Sequence, residues 1–377
     1  MRWSAASRPR ASVSRPHKPG GLFVPVRATL RGRTRWSVLD ERGIPEVPRG
    51  PSGFALAPIE GVEGPNLITN AGLDNAAVRS VRTAATGTTW RGHLAVGAGS
   101  TAPAVTDTAL DSEVERASSI GSYTAPAAVY ELDTTDNVWR ATIPVLRVVT
   151  MTATRNLTEY AFFPGATGVN ANIRELLRDG GGTPITVSLL TGKSIRVDHD
   201  LIIEIPAPAA GHSGSINVDH YDATDTLVST TAYSIVHGGH VQGTTVQDPF
   251  LYGPFGGWDP ATNSVHGVRG FNTSFAYARV NAFASEDRIP ATGASLSGAG
   301  AWEAYVVGTY ERTYRMTVPV GSGNEAWYGY YTSTNVTTGS AGWIRSGWMV
   351  LFDGPATYTK QETDTLRVGY VSSWARA

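Results

Sequence analysis

Cysteine is absent from the 377 residues. Without it there is no disulfide framework, no thiol nucleophile and no cysteine-based metal site. Charge is sparse too: Asp, Glu, Lys and Arg make up 17% of the chain and sum to a net charge of −1. The molecule as a whole is therefore not built as a polyelectrolyte binder. No run of eighteen apolar residues occurs, so no membrane-spanning helix is expected. Met1 to Arg10 lack an apolar stretch, and no secretory leader is expected there. Acidic residues are missing altogether from positions 1 to 39.

That acid-free stretch carries Arg2, Arg8, Arg10, Arg15, Lys18, Arg27, Arg31, Arg33 and Arg35, punctuated by Pro9, Pro16, Pro19 and Pro25. A segment of this kind cannot bury enough apolar surface to fold alone. The expectation is an extended arm that docks on neighbouring subunits, with Gly21 to Leu30 alternating enough to add a strand to another sheet. DNA contact is the weaker reading, because no aromatic stacking platform accompanies the basic residues. Pro45, Pro48, Pro51, Pro58 and Pro65 then mark a linker. Residues 1–65 are thus read as arm and linker.

Gly 42 and Pro 22, with Thr, Ser, Val and Ala abundant, suit many short strands joined by tight turns. The fold class expected is all-β: two β-sandwich-like domains, a tandem duplication being one way to build them, after the extended basic arm. The first domain is placed at 66–206. It opens with a short helix, since Leu67, Ala71, Asn75 and Val78 fall at helical spacing, although Gly72 lies inside it. Strands are expected near 90–96, 127–132, 138–154, 158–163, 186–190 and 194–205. Asp179 to Gly182 and Thr191 to Ser194 read as turns. The second of these resembles a phosphate loop only in part, because the pattern needs Gly at position 187 and the residue is Val.

The chain is read as organised around Leu94 to Arg116. Gly97-x-Gly99-x-x-Ala102 is a loose dinucleotide fingerprint, but Pro103 and the turn signal at Thr106-Asp107 do not fit a helix opening there. The better reading is a strand, a sharp turn that glycine permits, and a short helix with Thr106 or Asp107 as N-cap.

Pro206 to Gly211 is the next punctuation, and 207–377 is assigned to a second, aromatic-rich β domain. Strands are expected near 216–221, 227–236, 275–284, 301–310, 314–320, 327–332, 343–352 and 365–374, with a long loop over 250–272. Thr365 to Trp374 echoes Lys193 to Ile202. Trp327, Tyr328, Tyr330, Tyr331, Trp343 and Trp348 are the aromatics of interest. Neighbouring strand residues point to opposite faces, so some can form core while others meet a subunit or stack on a sugar.

Catalysis and metal binding find little support. His237-Gly-Gly-His240, with Asp219, His220 and Asp222 nearby, has the wrong spacing for one helix face. Asp219, Asp222 and Asp225 lack the order and closing Glu of a calcium loop. Glu286, Asp287, Glu303 and Glu311 could supply a glycosidase pair, as any acidic residues could. The expectation is no enzyme, no metal and no cofactor.

Leu67-Ile-Thr-Asn-Ala-Gly-Leu-Asp74, then Val96-Gly-x-Gly-Ser-Thr-Ala-Pro-Ala-x-Thr-Asp-Thr-Ala-Leu110, resembles a module of tailed-bacteriophage tail-fibre, collar and related virion proteins. Asn156 to Phe163 stands where the module's third element would be, with Tyr160-Ala161 replacing the usual Ile-Gly. Ile195 to Pro206 stands in place of the fourth. The resemblance covers roughly residues 66–206. It implies a structural protein of the virion, in the tail, neck, collar or fibre base, made in the host cytoplasm. By analogy with phage fibres it also implies a homo-oligomer, a trimer being favoured, that contacts other tail or neck proteins. The alternative is a receptor-binding module that recognises host-surface glycan through its C-terminal aromatics.

Overall fold

The described residues are mostly strands, in a large curled antiparallel sheet and smaller ones, with one short helix, which makes the fold all-β. The computed structural model describes residues 22–46, 60–77, 79, 81, 89–124 and, apart from 125, 134 and 137, on to 206. Beyond that it describes 213–221, 226–238, 267–271, 289–290, 300–318, 326–327, 329–333, 343–344, 348–352, 358–359, 363 and 365–377. In chain order the first half forms β1 (Leu22–Leu39), β2 (Glu60–Ile68), α1 (Asn70–Ala76), β3 (His93–Gly97), β4 (Glu113–Ala117) and β5 (Val129–Asp133). It continues with β6 (Val138–Thr150), β7 (Arg155–Leu157), β8 (Glu159–Phe163), β9 (Ile173–Leu176), β10 (Val187–Leu189) and β11 (Ser194–Pro206).

The organising strand is β1. It runs antiparallel to β11 along Thr29 to Leu39 and antiparallel to β2 along Gly32 to Ser37. Its first half, Leu22 to Leu30, runs parallel to the C-terminal strand Leu366–Arg376. From β11 the sheet continues through β6 to β5, and from β2 through β9, β8 and β3 to β4. The sheet curls, bringing β3 and β4 over β6. The core lies between the two halves.

Alternation explains why these residues are strands. On β1, Ala28, Leu30, Thr34, Trp36 and Val38 are buried, while Arg31, Arg33 and Arg35 between them are exposed. On β11, Ile195, Val197, His199, Leu201, Ile203 and Ile205 are buried, with Arg196, Asp198, Asp200 and Glu204 between them. Each fully buried Val, Leu or Ile is worth about 1.5–3 kcal/mol, so the inward row holds the sheet far more strongly than the outward charges. The residues expected to form a docking arm therefore include, at 22–39, a strand paired on both edges within its own chain.

The helix is real and short. Thr69 is its N-cap, accepting a hydrogen bond from Gly72 N at 2.9 Å. Gly72 belongs inside it because a Cβ there would lie 2.2 Å from the Asn172 carbonyl oxygen. The strands expected in 90–205 are all present, their ends shifted by a few residues. Gly192 takes the left-handed φ of 84° in the turn before β11. The helix expected after Thr106-Asp107 does not form. Glu113 to Ala117 is β4 instead, antiparallel to β3.

Among later segments, Ser213–Tyr221 pairs with Leu227–Gly238, within a five-stranded sheet completed by Trp348–Phe352, Gly329–Ser333 and Gly267–Phe271. The last of these is a strand inside the expected 250–272 loop. Residues 275–284 lie outside the described residues. The echoing segments Thr365 to Trp374 and Lys193 to Ile202 both pair with β1, the first parallel and the second antiparallel.

The C-terminal chain packs directly on α1. Trp374 Nε1 donates to the Leu73 carbonyl at 2.8 Å, and Tyr305 stacks on Trp374 with ring centroids 5.8 Å apart. Asp74 Oδ1 accepts from Tyr305 Oη at 2.6 Å and Gly308 N at 2.7 Å. Arg312 donates to the Ala77 carbonyl at 2.8 Å, supplying a cation at the end of a helix that has no basic residue in its last turn.

Candidate functional site

The glycine loop after β3 covers the outer face of β3, β8 and β9. There Leu110 packs on Ala95, Ala161, Phe163 and Ala171, so β8 is buried on both faces. At the loop's base sits Glu159, the first residue of β8 and 0% exposed. Its Oε1 accepts from Gly99 N at 2.9 Å and Ser112 N at 3.0 Å, and its Oε2 accepts from Asp111 N at 3.3 Å. Arg174 of β9 adds Nη2 at 2.9 Å and Nε at 3.1 Å to the same Oε2. Five donors thus surround one sealed carboxylate.

The two glycines exist to admit it. A Cβ on Gly97 would lie 2.6 Å from Glu159 Oε1, and one on Gly99 2.4 Å from the same oxygen. The loop's far end is held by Arg174, which pairs with Asp107 Oδ2 at 2.5 Å and Asp111 Oδ2 at 2.9 Å and donates to the Thr101 carbonyl at 3.1 Å. Burial alone would lower the Arg174 pKa, but the hydrogen bonds of Asp107 and Glu159 outweigh it and hold it above the usual arginine value. This is also why no helix starts at Asp107: its carboxylate is committed to Arg174 and to the Ala104 N–H at 2.8 Å, a turn of its own.

The entry segment joins the same assembly from the side. Asn70 N donates to the Val105 carbonyl at 2.7 Å, and Thr69 Oγ1 to the Ala171 carbonyl at 2.5 Å. Asn172 bridges Trp90 and Asn75, and Trp90 Nε1 donates to the Gly72 carbonyl at 2.7 Å. Residues from 69–75, 97–112, 158–159 and 171–174 therefore interlock. Chemically, the sealed Glu159 carboxylate accepts from three backbone N–H groups and fixes the loop.

The residues singled out for an assembly arm divide in two. Arg2, Arg8, Arg10, Arg15 and Lys18 lie outside the described residues, and Arg27 lies in β1. Arg31 and Arg33 pair within the chain, with Glu204 and Asp200 at 2.9 Å each, and Arg35 lies exposed beside them. The aromatics do not share one sheet. Trp327 pairs its strand with Tyr358–Thr359, Trp343 with Ile289–Pro290, and Tyr330, Tyr331 and Trp348 lie in the five-stranded sheet; Tyr328 is outside the described residues.

Asp219, His220 and His237 are strand residues, while Asp222, Asp225, His240, Glu286 and Asp287 lie outside the described residues. Glu303 and Glu311 are exposed. Among the described residues no group of three His, Asp or Glu is placed to hold a metal ion, and no helix is long and apolar enough to cross a membrane. Sequence reasoning missed Glu159 and Arg174. The available signal was weak: Glu159 opens the apolar run Tyr160 to Phe163 and Arg174 follows Ile173, positions where a charge is costly unless paired. No family model, curated protein or solved structure matches the chain.

Proposed function

We propose that the chain is a structural component of a tailed-phage virion, acting in the tail, neck, collar or fibre base. In this reading it assembles as a homo-oligomer, a trimer, whose residues 1–21 engage neighbouring tail or neck proteins. One observation carries the reading. Three of the segments that resemble the virion module, 67–74, 96–110 and 156–163, meet in the cluster around Glu159, where every ionic group is spent on fixing backbone. Such an arrangement suits a rigid structural element. The net charge of −1 fits protein–protein assembly better than wrapping nucleic acid.

The test is the solution mass of the full chain beside a version lacking residues 1–20, a cut that leaves β1 whole. The expected result is a trimer that falls to a folded monomer on truncation, its β-sheet circular dichroism retained and its unfolding temperature lowered by no more than the lost association explains. A full-length monomer that is retained on bacterial surface polysaccharide would overturn the assembly role in favour of receptor binding.

A further inference from the structure

His199 lies at the middle of β11, 0% exposed, its ring tilted against Phe162 with centroids 5.2 Å apart. Arg91, from the turn before β3, reaches it across the core. Arg91 Nη1 stands 2.8 Å from His199 Nδ1 and donates to the carbonyls of Ile143 at 2.8 Å and His199 at 3.1 Å. Its Nη2 donates to the Val81 carbonyl at 3.4 Å. A guanidinium can only donate, so Nδ1 must be the bare, accepting nitrogen and the ring proton must sit on Nε2.

Nε2 has no partner in the sealed interior, and neither has Asn66 Oδ1. Both converge over Gly32, where a Cβ would lie 1.7 Å from Oδ1 and 2.7 Å from Nε2. A buried donor and a buried acceptor thus both lie beside the one inward β1 position that lacks a side chain. Asn66 Nδ2 continues the chain to Thr34 Oγ1 at 2.7 Å, and Thr34 is the β1 residue in register with His199.

We propose that His199 is an acid-sensitive latch: only its neutral, Nε2-protonated form can hold β11 to the Arg91 turn. A second proton can enter only at Nδ1, where the Arg91 N–H already points. Accepting it would expel Arg91 and strip the Ile143, His199 and Val81 carbonyls of their donor. The other groups around the ring do not relieve this. Arg147 enters from β6 as a second buried cation, bonded to the Gly92 and Leu146 carbonyls. Tyr160 of β8 is kept protonated by its burial, and Asp200 is engaged by Arg33.

Burial first, then Arg91, depresses the His199 pKa well below the ordinary value. The folded state therefore binds the proton less readily than the unfolded chain, which takes it up near pH 6.5. Stability from this group is complete above about 6.5 and is lost as pH falls below it, up to about tenfold in the folding equilibrium constant per pH unit. His93 shifts the same way, through burial and then Arg116 and Arg147, and acts in the same window.

The experiment uses the full chain between pH 7.5 and 5, following urea unfolding of the wild type, His199→Gln and His93→Gln. The ring nitrogens of the wild type are observed in parallel by NMR. We expect His199 to remain the Nε2–H tautomer for as long as the protein is folded. The acid-side loss of stability should shrink by up to about tenfold per pH unit in His199→Gln, and most of it should remain in His93→Gln. An imidazolium or an Nδ1–H ring at position 199 in the folded protein overturns the latch, whether or not His199→Gln folds. An unchanged pH slope in a folded His199→Gln overturns it too.

Discussion

Two buried arginines in this molecule solve the same problem in opposite ways. Arg174, on the outer face under the glycine loop, is met by the carboxylates of Glu159, Asp107 and Asp111. Arg91, inside the curl of the sheet, is met by the carbonyls of Ile143, His199 and Val81 and by the imidazole of His199. The consequence shows in their acidity: Arg174 is held above the usual arginine pKa, while Arg91 is pushed down to about 9, chiefly by burial and then by Arg147. Where opposite charge is supplied, the cluster is a clamp. Where only dipoles are supplied, the charge is carried at a cost, and a neighbouring histidine becomes sensitive to acid.

The largest test of this contrast is Glu159→Gln. It keeps the shape but strips Arg174 of its fully buried counter-charge, and removing one partner of such a pair costs about 3–5 kcal/mol. Urea unfolding should show that loss, together with earlier proteolytic cleavage within the 98–112 loop. A loss below about 1 kcal/mol, the range of exposed pairs, would mean that Asp107 and Asp111 alone satisfy Arg174. Arg91→Met should cost less, about 2 kcal/mol. It leaves three carbonyls and Nδ1 short of a donor, but it also removes a charge that is expensive to bury. It should also let the His199 ring take up a proton at higher pH, an effect Glu159→Gln should lack.

Much of this was readable in the sequence and some was hidden, for reasons that particular residues make plain. The period-2 pattern of Ile195, Val197, Leu201, Ile203 and Ile205 marked β11 because one face is apolar. The same period runs through β1, but Gly32 and Thr34 occupy inward positions and Arg31, Arg33 and Arg35 the outward ones. The inner row is interrupted there and the outer row is basic, so the segment reads as an arm. Only the register against β11, which a single sequence does not encode locally, turns those arginines into cross-strand neighbours of Asp200 and Glu204. At the glycine loop, Gly97, Gly99 and Asp107 were visible as punctuation. Their purpose was not, because Glu159 and Arg174 come together only when β8 pairs with β9.

Asp107→Asn sharpens the outer half of the comparison at lower stakes. Asp107 is partly open to solvent and Arg174 keeps Glu159 and Asp111, so about 1.5 kcal/mol is the expected loss, the low end for a hydrogen bond to a charged group. Smallest of all should be Arg33→Ala. The Arg33–Asp200 pair spans 2.9 Å, yet its arginine is 45% exposed. Water screens it, and ordering a long side chain consumes much of what the contact gains, so a change within about 0.5 kcal/mol is expected by urea unfolding. The ordering from Glu159 to Arg33 follows how far each charge has been taken from water, with distances that barely differ. A loss at Arg33 as large as that at Asp107 would break this ordering. It would mean that the outward arginines of β1 stabilise the sheet through their packed stems, and the strand's basic face would then be structural in its own right.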